Sequence, residues 1–196
     1  MIIKLLSFLL ITTFYTAYFA KQILLRKKGI ITNRLAKGSK PKKTARIETG
    51  LLLITYGMAV NQYAGIFLEK YLLPLNLPSI LRWLGIILAG FGVLIFILAI
   101  TTMRDSWRAG IDEGQKTSMV TRGVYSISRN PAFVGFDLLY IGSALAMPGV
   151  VIAVMAAAGI LLMHLQILEE ESFLPQIFGD EYVEYKKKTA RYLLFF

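Results

Sequence analysis

Long apolar runs separated by short polar segments dominate the first half of the chain. Residues 1–25, 47–68 and 80–103 are each apolar and long enough to cross a hydrocarbon core of about 30 Å as a helix. The pattern therefore predicts three N-terminal transmembrane helices within residues 1–103.

Two further apolar runs, residues 133–147 and 150–168, follow in the second half and are broken only by a proline–glycine pair. They predict a tight helical hairpin over residues 131–168. Asn130 followed by Pro131 predicts where the hairpin starts, since Asn can cap free helix amides and Pro suits the first helical position.

Together these runs predict an all-α integral membrane protein with about five transmembrane helices. Its first region would be residues 1–103, three spans with a basic loop at 26–46. Its second region would be residues 104–196, containing a polar loop, the hairpin and an amphipathic tail from residue 169. The hydrophobic content of 56% and charged content of 17% agree with this class.

Small residues are predicted to bring helices close together. On the third span these are Gly85, Ala89, Gly90 and Gly92, and on the second arm of the hairpin Ala153, Ala157 and Gly159. Such faces would also permit a homodimer.

The net charge of +10 is distributed asymmetrically. Nine Lys or Arg lie within residues 26–46, five within 104–129 and four within 186–191, but only Lys70 and Arg82 lie in the long loop on the other side. The positive-inside rule then predicts that the three basic segments face the cytoplasm, with the N-terminus outside and the C-terminus inside. The same distribution argues against a nucleic-acid partner.

The basic loop at residues 26–46 is interpreted as a solvated segment that fixes topology and contacts anionic membrane lipids. A specific dock for an acidic substrate is the alternative. The chain has no cysteine and one histidine, His164, which excludes disulfides, thiolate nucleophiles and a multi-histidine metal site.

Polar side chains at the two ends of the hairpin are predicted to meet, because antiparallel arms bring Asn130 next to Glu170. The helix start and Arg129 would suit an anionic group, and Glu170 a cationic one. On the second arm, Gln166 and Glu170 lie four residues apart and therefore share a helical face.

Three further polar residues of the hairpin are candidates. His164 and Glu171, seven apart, share another face of the second arm. His164 is either a structural histidine or a general base. Asp137 lies about two turns into the first arm, where a carboxylate is either functional or paired with an interior Tyr or Lys.

Four ordered motifs are more specific together than any is alone. They are Met119-Val120-Thr121-Arg122-Gly123-Val124-Tyr125, Arg129-Asn130-Pro131-Ala132-Phe133-Val134-Gly135, Glu170-Glu171, and Phe178-Gly179-Asp180-Glu181-Tyr182 followed by Tyr185. They resemble the isoprenylcysteine carboxyl methyltransferase family, with its bacterial relatives and the kindred phospholipid methyltransferases. The resemblance covers about residues 104–192. Within it, the segment Ser106-Trp107-Arg108-Ala109-Gly110-Ile111 is similar to a bacterial subgroup.

The resemblance implies an integral-membrane enzyme that methylates a lipophilic acceptor with S-adenosylmethionine, in a bacterial or archaeal cytoplasmic membrane. Residues 104–196 would be the catalytic region, with a cofactor pocket facing the cytoplasm. By position, the cofactor would be held by Thr117, Ser118, Met119, Val120, Tyr125, Arg129, Asn130, Pro131, Ala132, Phe133, Glu170 and Glu171. The acceptor and catalysis would involve Trp107, His164, Gln166 and Glu170.

The chain departs from the family pattern at two positions. Asn130 stands where the family usually has histidine. Gln166 stands where the family places an arginine thought to hold the substrate carboxylate, and a glutamine cannot neutralise a carboxylate. The acceptor is therefore open between a prenylcysteine-like carboxylate and a lipid amine, a hydroxyl or another small amphiphile.

Two other functions are consistent with the sequence. One is a membrane reductase of the sterol-reductase type, whose C-terminal half looks similar and which would bind NADPH. The other is a membrane scaffold or lipid-binding module without turnover, for which Gln166 is the best support.

Overall fold

The fold is built from α-helices. The computed structural model describes residues 1–38, 40–68, 70, 72–108, 110 and 118–193. In this part of the chain the helices are α1 (Ile2–Lys27), α2 (Lys42–Phe67), α3 (Ser79–Thr102), α4 (Pro131–Ala146), α5 (Val150–Phe178) and α6 (Asp180–Lys188), with short 3-10 turns at Arg104–Ser106 and Gly123–Ser126. The described residues form no β-strand beyond isolated bridges, so the predicted all-α class is confirmed.

Three of these helices, α1, α3 and α5, are long and apolar enough to cross a membrane. The chain is thus an integral membrane protein. α4 is apolar but has 16 residues, a length of about 24 Å. α2 has 26 residues but buries polar side chains, including Glu48 and Gln62. The count of five spans remains a prediction.

Glycines let α3 and α4 pack backbone to backbone, which is the closest helix contact in the fold. A Cβ at Gly85 would lie 2.6 Å from the carbonyl oxygen of Gly142, and one at Gly92 would lie 2.7 Å from that of Gly135. Such approach requires residues without side chains. The prediction is confirmed for Gly85, Ala89 and Gly92, since Ala89 is also buried. It is wrong for Gly90, where a Cβ would meet nothing within 4 Å.

The predicted small-residue contact between the hairpin arms is confirmed only at Gly159, where a Cβ would lie 2.8 Å from the Tyr140 ring. Ala153 and Ala157 are exposed, so their predicted roles are wrong. The reason is that α4 is committed to α3 along its glycines, while α5 packs mainly on α2.

The second arm of the hairpin is longer than predicted. α5 continues without interruption past Leu168 and ends at Phe178, so Glu169, Glu170 and Glu171 lie within a helix and not in a tail. Glutamate and leucine are strong helix formers, and leaving the apolar layer does not stop a helix. Gly179, with φ of 57°, makes the turn into α6.

The basic loop is also more ordered than the solvated segment that the sequence suggests. α2 begins at Lys42, inside the predicted loop. Lys40 forms an ion pair of 2.7 Å with Glu48, whose side chain is fully buried. Lys43 and Thr44 both donate hydrogen bonds of 2.6 Å to Glu169 on α5. Paired charges of this kind fix the loop against the C-terminal half.

An aromatic cluster joins α1, α3 and α4 in the core. Phe14 stacks on Phe96 with ring centroids 4.2 Å apart, and Phe136 meets Phe14 edge-on at 4.7 Å. Tyr18 and Trp107 contact each other at 5.7 Å beside this group. These rings form one side of the candidate site.

Replacing Gly85 by alanine should destabilise the fold by about 1–3 kcal/mol, the usual range for overpacking, because the new methyl group meets the α4 backbone. Gly90→Ala is the matched control on the same helix, since a Cβ there meets nothing within 4 Å. The thermal unfolding midpoint in detergent should fall for Gly85→Ala and hold or rise for Gly90→Ala. Equal midpoints would contradict the tight packing.

Candidate functional site

Two adjacent cavities meet at the start of α4 and the C-terminal half of α5. The first, here called the polar cavity, has a volume of about 180 Å³. The second, the aromatic cavity, has a volume of about 100 Å³ and reaches the ring cluster of the core. Arg108, Gly110 and Glu170 line both. The two cavities therefore adjoin at these residues and form one candidate site with two compartments.

The polar cavity brings together most residues implied by the resemblance as cofactor ligands. Those that line it are Ser118, Met119, Val120, Tyr125, Arg129, Asn130 and Glu170. The other walls come from the last turns of α5, through Phe173 and Phe178, and from the tail, through Tyr182 and Tyr185. Thr117 lies outside the described residues.

Glu170 occupies the junction of the cavities because α5 extends beyond the apolar layer. Gln166, one turn earlier, donates a hydrogen bond of 3.0 Å from its amide nitrogen to Glu170 Oε1. The shared face expected from the four-residue spacing is thus confirmed. The junction is closed from the other side by Gly110, where a Cβ would come within 2.9 Å of the Leu35 backbone nitrogen.

Glu171 points away from the cavities and is clamped by two arginines. Arg129 donates to Glu171 Oε1 at 2.9 Å, and Arg191 donates to Oε2 at 3.0 Å. The Glu171 side chain is only 4% exposed. Its hydrogen bonds raise the pKa of Arg191. The clamp joins the start of α4, the middle of α5 and the C-terminal tail.

The predicted capping role of Asn130 is wrong. Its side chain forms no bond with the helix amides, and its amide nitrogen instead donates to Glu171 Oε1 and to the carbonyl of Arg191, each at 3.2 Å. A hydrogen bond to a charged carboxylate is stronger than one between neutral groups, so the bond from the NH₂ group to Glu171 fixes the Asn130 side chain in an orientation that does not cap the helix. The helix nevertheless begins at Pro131, as predicted.

Arg129 lines the polar cavity, but its charge is already balanced within the chain. Besides Glu171, its guanidinium donates to the carbonyls of Thr189 and Lys186, and its backbone amide donates to Ala190 at 2.8 Å. Arg129 therefore holds the tail in place at the cavity wall.

The tail also supports Tyr125. Tyr185 donates its phenol to the Tyr125 carbonyl at 2.5 Å. Burial raises the pKa of the Tyr125 phenol, so the ring is neutral near pH 7. It presents an uncharged aromatic wall to the polar cavity.

The aromatic cavity contains the remaining candidates. Trp107 and Gln166 line it, as do Ala132 and Phe133, which the resemblance implied as cofactor ligands. Tyr18 of α1 and Asn33 of the basic loop line it as well. Thus the N-terminal half contributes walls to a site that the sequence placed in the C-terminal half alone.

Four predicted residues line neither cavity. His164 instead shares a hydrogen bond of 2.6 Å with Tyr192 of the tail, which fits the structural interpretation of this histidine. Pro131 and Glu171 also lie outside both cavities. Pro131 is the first residue of α4, and Glu171 forms the ion pairs with Arg129 and Arg191. Asp137 is half-buried and lines neither cavity; its buried Oδ1 has no hydrogen-bond partner among the described residues.

Sequence reasoning missed the walls from the N-terminal half and the pairing of Arg191. One signal was available for α1, where Tyr15, Tyr18 and Phe19 recur at helical spacing; all three line the aromatic cavity. No local signal marks Arg191, since its partner lies 20 residues earlier.

Comparisons with known proteins point to one family. Residues 80–181 match the protein family described as phospholipid methyltransferase. The chain is 33% identical over 109 residues to protein-S-isoprenylcysteine O-methyltransferase A of Arabidopsis thaliana, which is 54% of this chain and 55% of the relative. It is 27% identical over 126 residues to protein-S-isoprenylcysteine O-methyltransferase of Dictyostelium discoideum, 63% of this chain and 53% of the relative.

A third relative, an uncharacterized protein of Haemophilus influenzae, is 40% identical over 55 residues, 28% of this chain and 79% of that protein. The chain spans about half the length of the curated methyltransferases that it matches. The similarity therefore identifies a shared family region, and the activity of the whole chain has to be argued from the site.

Glu171→Gln should destabilise the tail by about 3 kcal/mol, because two arginines lose a buried anionic partner. The matched control is Glu169→Gln, whose partner Lys43 is 76% exposed and whose loss should cost at most about 1 kcal/mol. Hydrogen exchange of residues 180–193 is the measurement. Protection unchanged in Glu171→Gln would refute the clamp.

Proposed function

The chain belongs to the phospholipid methyltransferase family, and on that premise we propose that it is a membrane methyltransferase that uses S-adenosylmethionine. Its acceptor is a lipophilic molecule taken from the bilayer. The observation that carries the proposal is the meeting of a polar and an aromatic cavity at Glu170. A water-soluble donor and a lipophilic acceptor need two such compartments with a shared junction.

The polar cavity fits the cofactor by its chemistry. S-adenosylmethionine carries an adenine ring, a sulfonium, an ammonium and a carboxylate. Tyr125, Phe173 and Tyr182 provide aromatic faces for the ring and the sulfonium, and Glu170 provides the carboxylate that suits the cationic groups. When bound, the cofactor supplies an activated methyl group.

The start of α4 suits the cofactor's carboxylate. No side chain caps this helix, so the backbone amides of its first turn are available to an anion. Asn130 lines the polar cavity, whereas Ala132 and Phe133 line the aromatic one, so the carboxylate is placed where the two cavities adjoin. Arg129 acts as a support here, because its charge is matched by Glu171. The motif around Asn130 therefore stays at the cofactor site, but Arg129 and Asn130 bind Glu171 there, and the backbone of the helix start is left to bind the cofactor.

The aromatic cavity suits the acceptor. Trp107, Phe96 and Phe136 give it an apolar lining, and Gln166 gives it a polar end beside Glu170. Holding two molecules across one junction accelerates methyl transfer mainly by proximity and exclusion of water. A strong acid–base pair is not needed for such a transfer. His164 is therefore given no catalytic role here, only its hydrogen bond to Tyr192.

The basic segments orient the site. One Lys or Arg cluster lies at residues 26–46, whose Asn33 and Leu35 line the aromatic cavity. Another lies at residues 186–191, where the carbonyl of Lys186 binds Arg129 of the polar cavity. We place both clusters at the cytoplasmic face, where S-adenosylmethionine is available. We assign the protein to a bacterial or archaeal cytoplasmic membrane.

Glu170→Gln should weaken binding of S-adenosylhomocysteine at least about tenfold, since it removes the carboxylate from the junction while keeping the shape. Calorimetric titration of the detergent-purified protein measures this. Glu169→Gln is the matched control, because Glu169 binds Lys43 and Thr44 and lines neither cavity.

Equal affinity in both variants would refute the assignment of Glu170. Failure of the folded, monodisperse wild-type protein to bind S-adenosylhomocysteine would refute the methyltransferase. A parallel titration with NADPH then separates the rivals, since binding indicates the reductase and its absence the non-catalytic scaffold.

A further inference from the structure

Gln166 has an unused hydrogen-bonding atom at the wall of the aromatic cavity. Its side chain is 0% exposed and lines this cavity. The amide nitrogen donates to Glu170, 3.0 Å away, whereas the amide oxygen has no hydrogen-bond partner within the described part of the chain. Buried polar atoms are nearly always paired, so this oxygen points to a ligand.

The orientation of the amide follows from its neighbour. In the structure the NH₂ group of Gln166 faces Glu170 and donates to its Oε1. The oxygen must then face the other way. It can pair only with a group that carries a hydrogen to donate.

We propose, resting on the proposed function, that Gln166 selects acceptors whose polar end is a hydroxyl or an amine and disfavours those that end in a carboxylate. The amide oxygen of Gln166 accepts the hydrogen bond from the acceptor, and the aromatic cavity holds the lipophilic remainder.

The groups around Gln166 agree with this selection. Glu170 lies beside it and accepts the hydrogen bond from its amide nitrogen. Lys40 is paired with Glu48 at 2.7 Å and lines neither cavity. A ligand carboxylate in the cavity would face the amide oxygen of Gln166, and it has no hydrogen to donate to that oxygen.

One group in the same cavity favours the opposite outcome. Arg108 lines the junction, where its Nη1 donates to the carbonyls of Asp105 at 2.7 Å and Trp107 at 2.8 Å. A guanidinium is a good partner for a carboxylate. The relative affinity for a carboxylate therefore shows whether Gln166 or Arg108 determines which ligand binds.

The test uses three isoprenoids that differ only at the polar end: farnesol, farnesylamine and farnesoic acid. Binding to the full chain in nanodiscs is followed by the emission of Trp107, in a Trp83→Phe background that leaves one of the two tryptophans. The alcohol or the amine should bind at least about tenfold more tightly than the acid. Whichever of the two binds more tightly identifies the acceptor class.

Gln166→Arg should reverse the preference, since it replaces the accepting oxygen by a cation. Gln166→Leu is the second variant, and it should abolish the preference. Met163→Leu is the matched control one turn away in the same cavity; it should change the affinities for all three ligands alike. Wild-type protein that binds the acid at least as tightly as the others overturns the proposal, and loss of that preference in Arg108→Gln would then assign the anion site to Arg108.

These titrations contain no cofactor, so their outcome can be told apart from that of the cofactor titration. Preference for the alcohol or amine without binding of S-adenosylhomocysteine would retain the role of Gln166 and refute the methyltransferase. Binding of S-adenosylhomocysteine together with preference for the acid would retain the methyltransferase and refute the role of Gln166.

Discussion

The carboxylate of Glu171 holds three segments together, and the polar cavity depends on them. Arg129 fixes the start of α4, Arg191 fixes the tail, and Glu171 itself belongs to α5. Its two oxygens are both used, so little of its charge is left for a ligand. Because these groups are buried, their attraction is weakly screened by salt. The walls of the cavity are thus held by ion pairs that the cavity itself does not expose.

Three neighbouring carboxylates on α5 have different environments. Two of them hold other segments of the chain in place, and one faces the cavities. Glu169 faces the basic loop through Lys43 and Thr44, Glu171 faces the tail, and Glu170 between them faces both cavities. A helix turns each successive side chain by about 100°, so three identical residues in a row point to three different partners. The run of three glutamates therefore provides one residue of the site, Glu170, and two residues that bind other segments of the chain, Glu169 and Glu171.

Helices, the hairpin and the Gln166–Glu170 pair could be predicted because each depends on the period of the helix or on the antiparallel course of the chain. The glycine contact of α3 was also predictable, but its partner was not, since a small residue permits close approach to any helix. The Lys40–Glu48 pair and the side-chain bonds of Asn130 were missed because a charged or amide side chain has several possible partners. Which partner is chosen depends on tertiary packing.

The walls of the aromatic cavity extend beyond the region that matches the family. The match covers residues 80–181, yet Tyr15 and Tyr18 of α1 and Asn33 of the basic loop line this cavity. The polar cavity leaves the matched region only at Tyr182 and Tyr185, so the family match covers much more of its lining. If the aromatic cavity holds the acceptor as proposed, substitutions confined to the first helix would change which molecule fits while every motif around the polar cavity stays intact. Chains with the same family signature then need not share an acceptor.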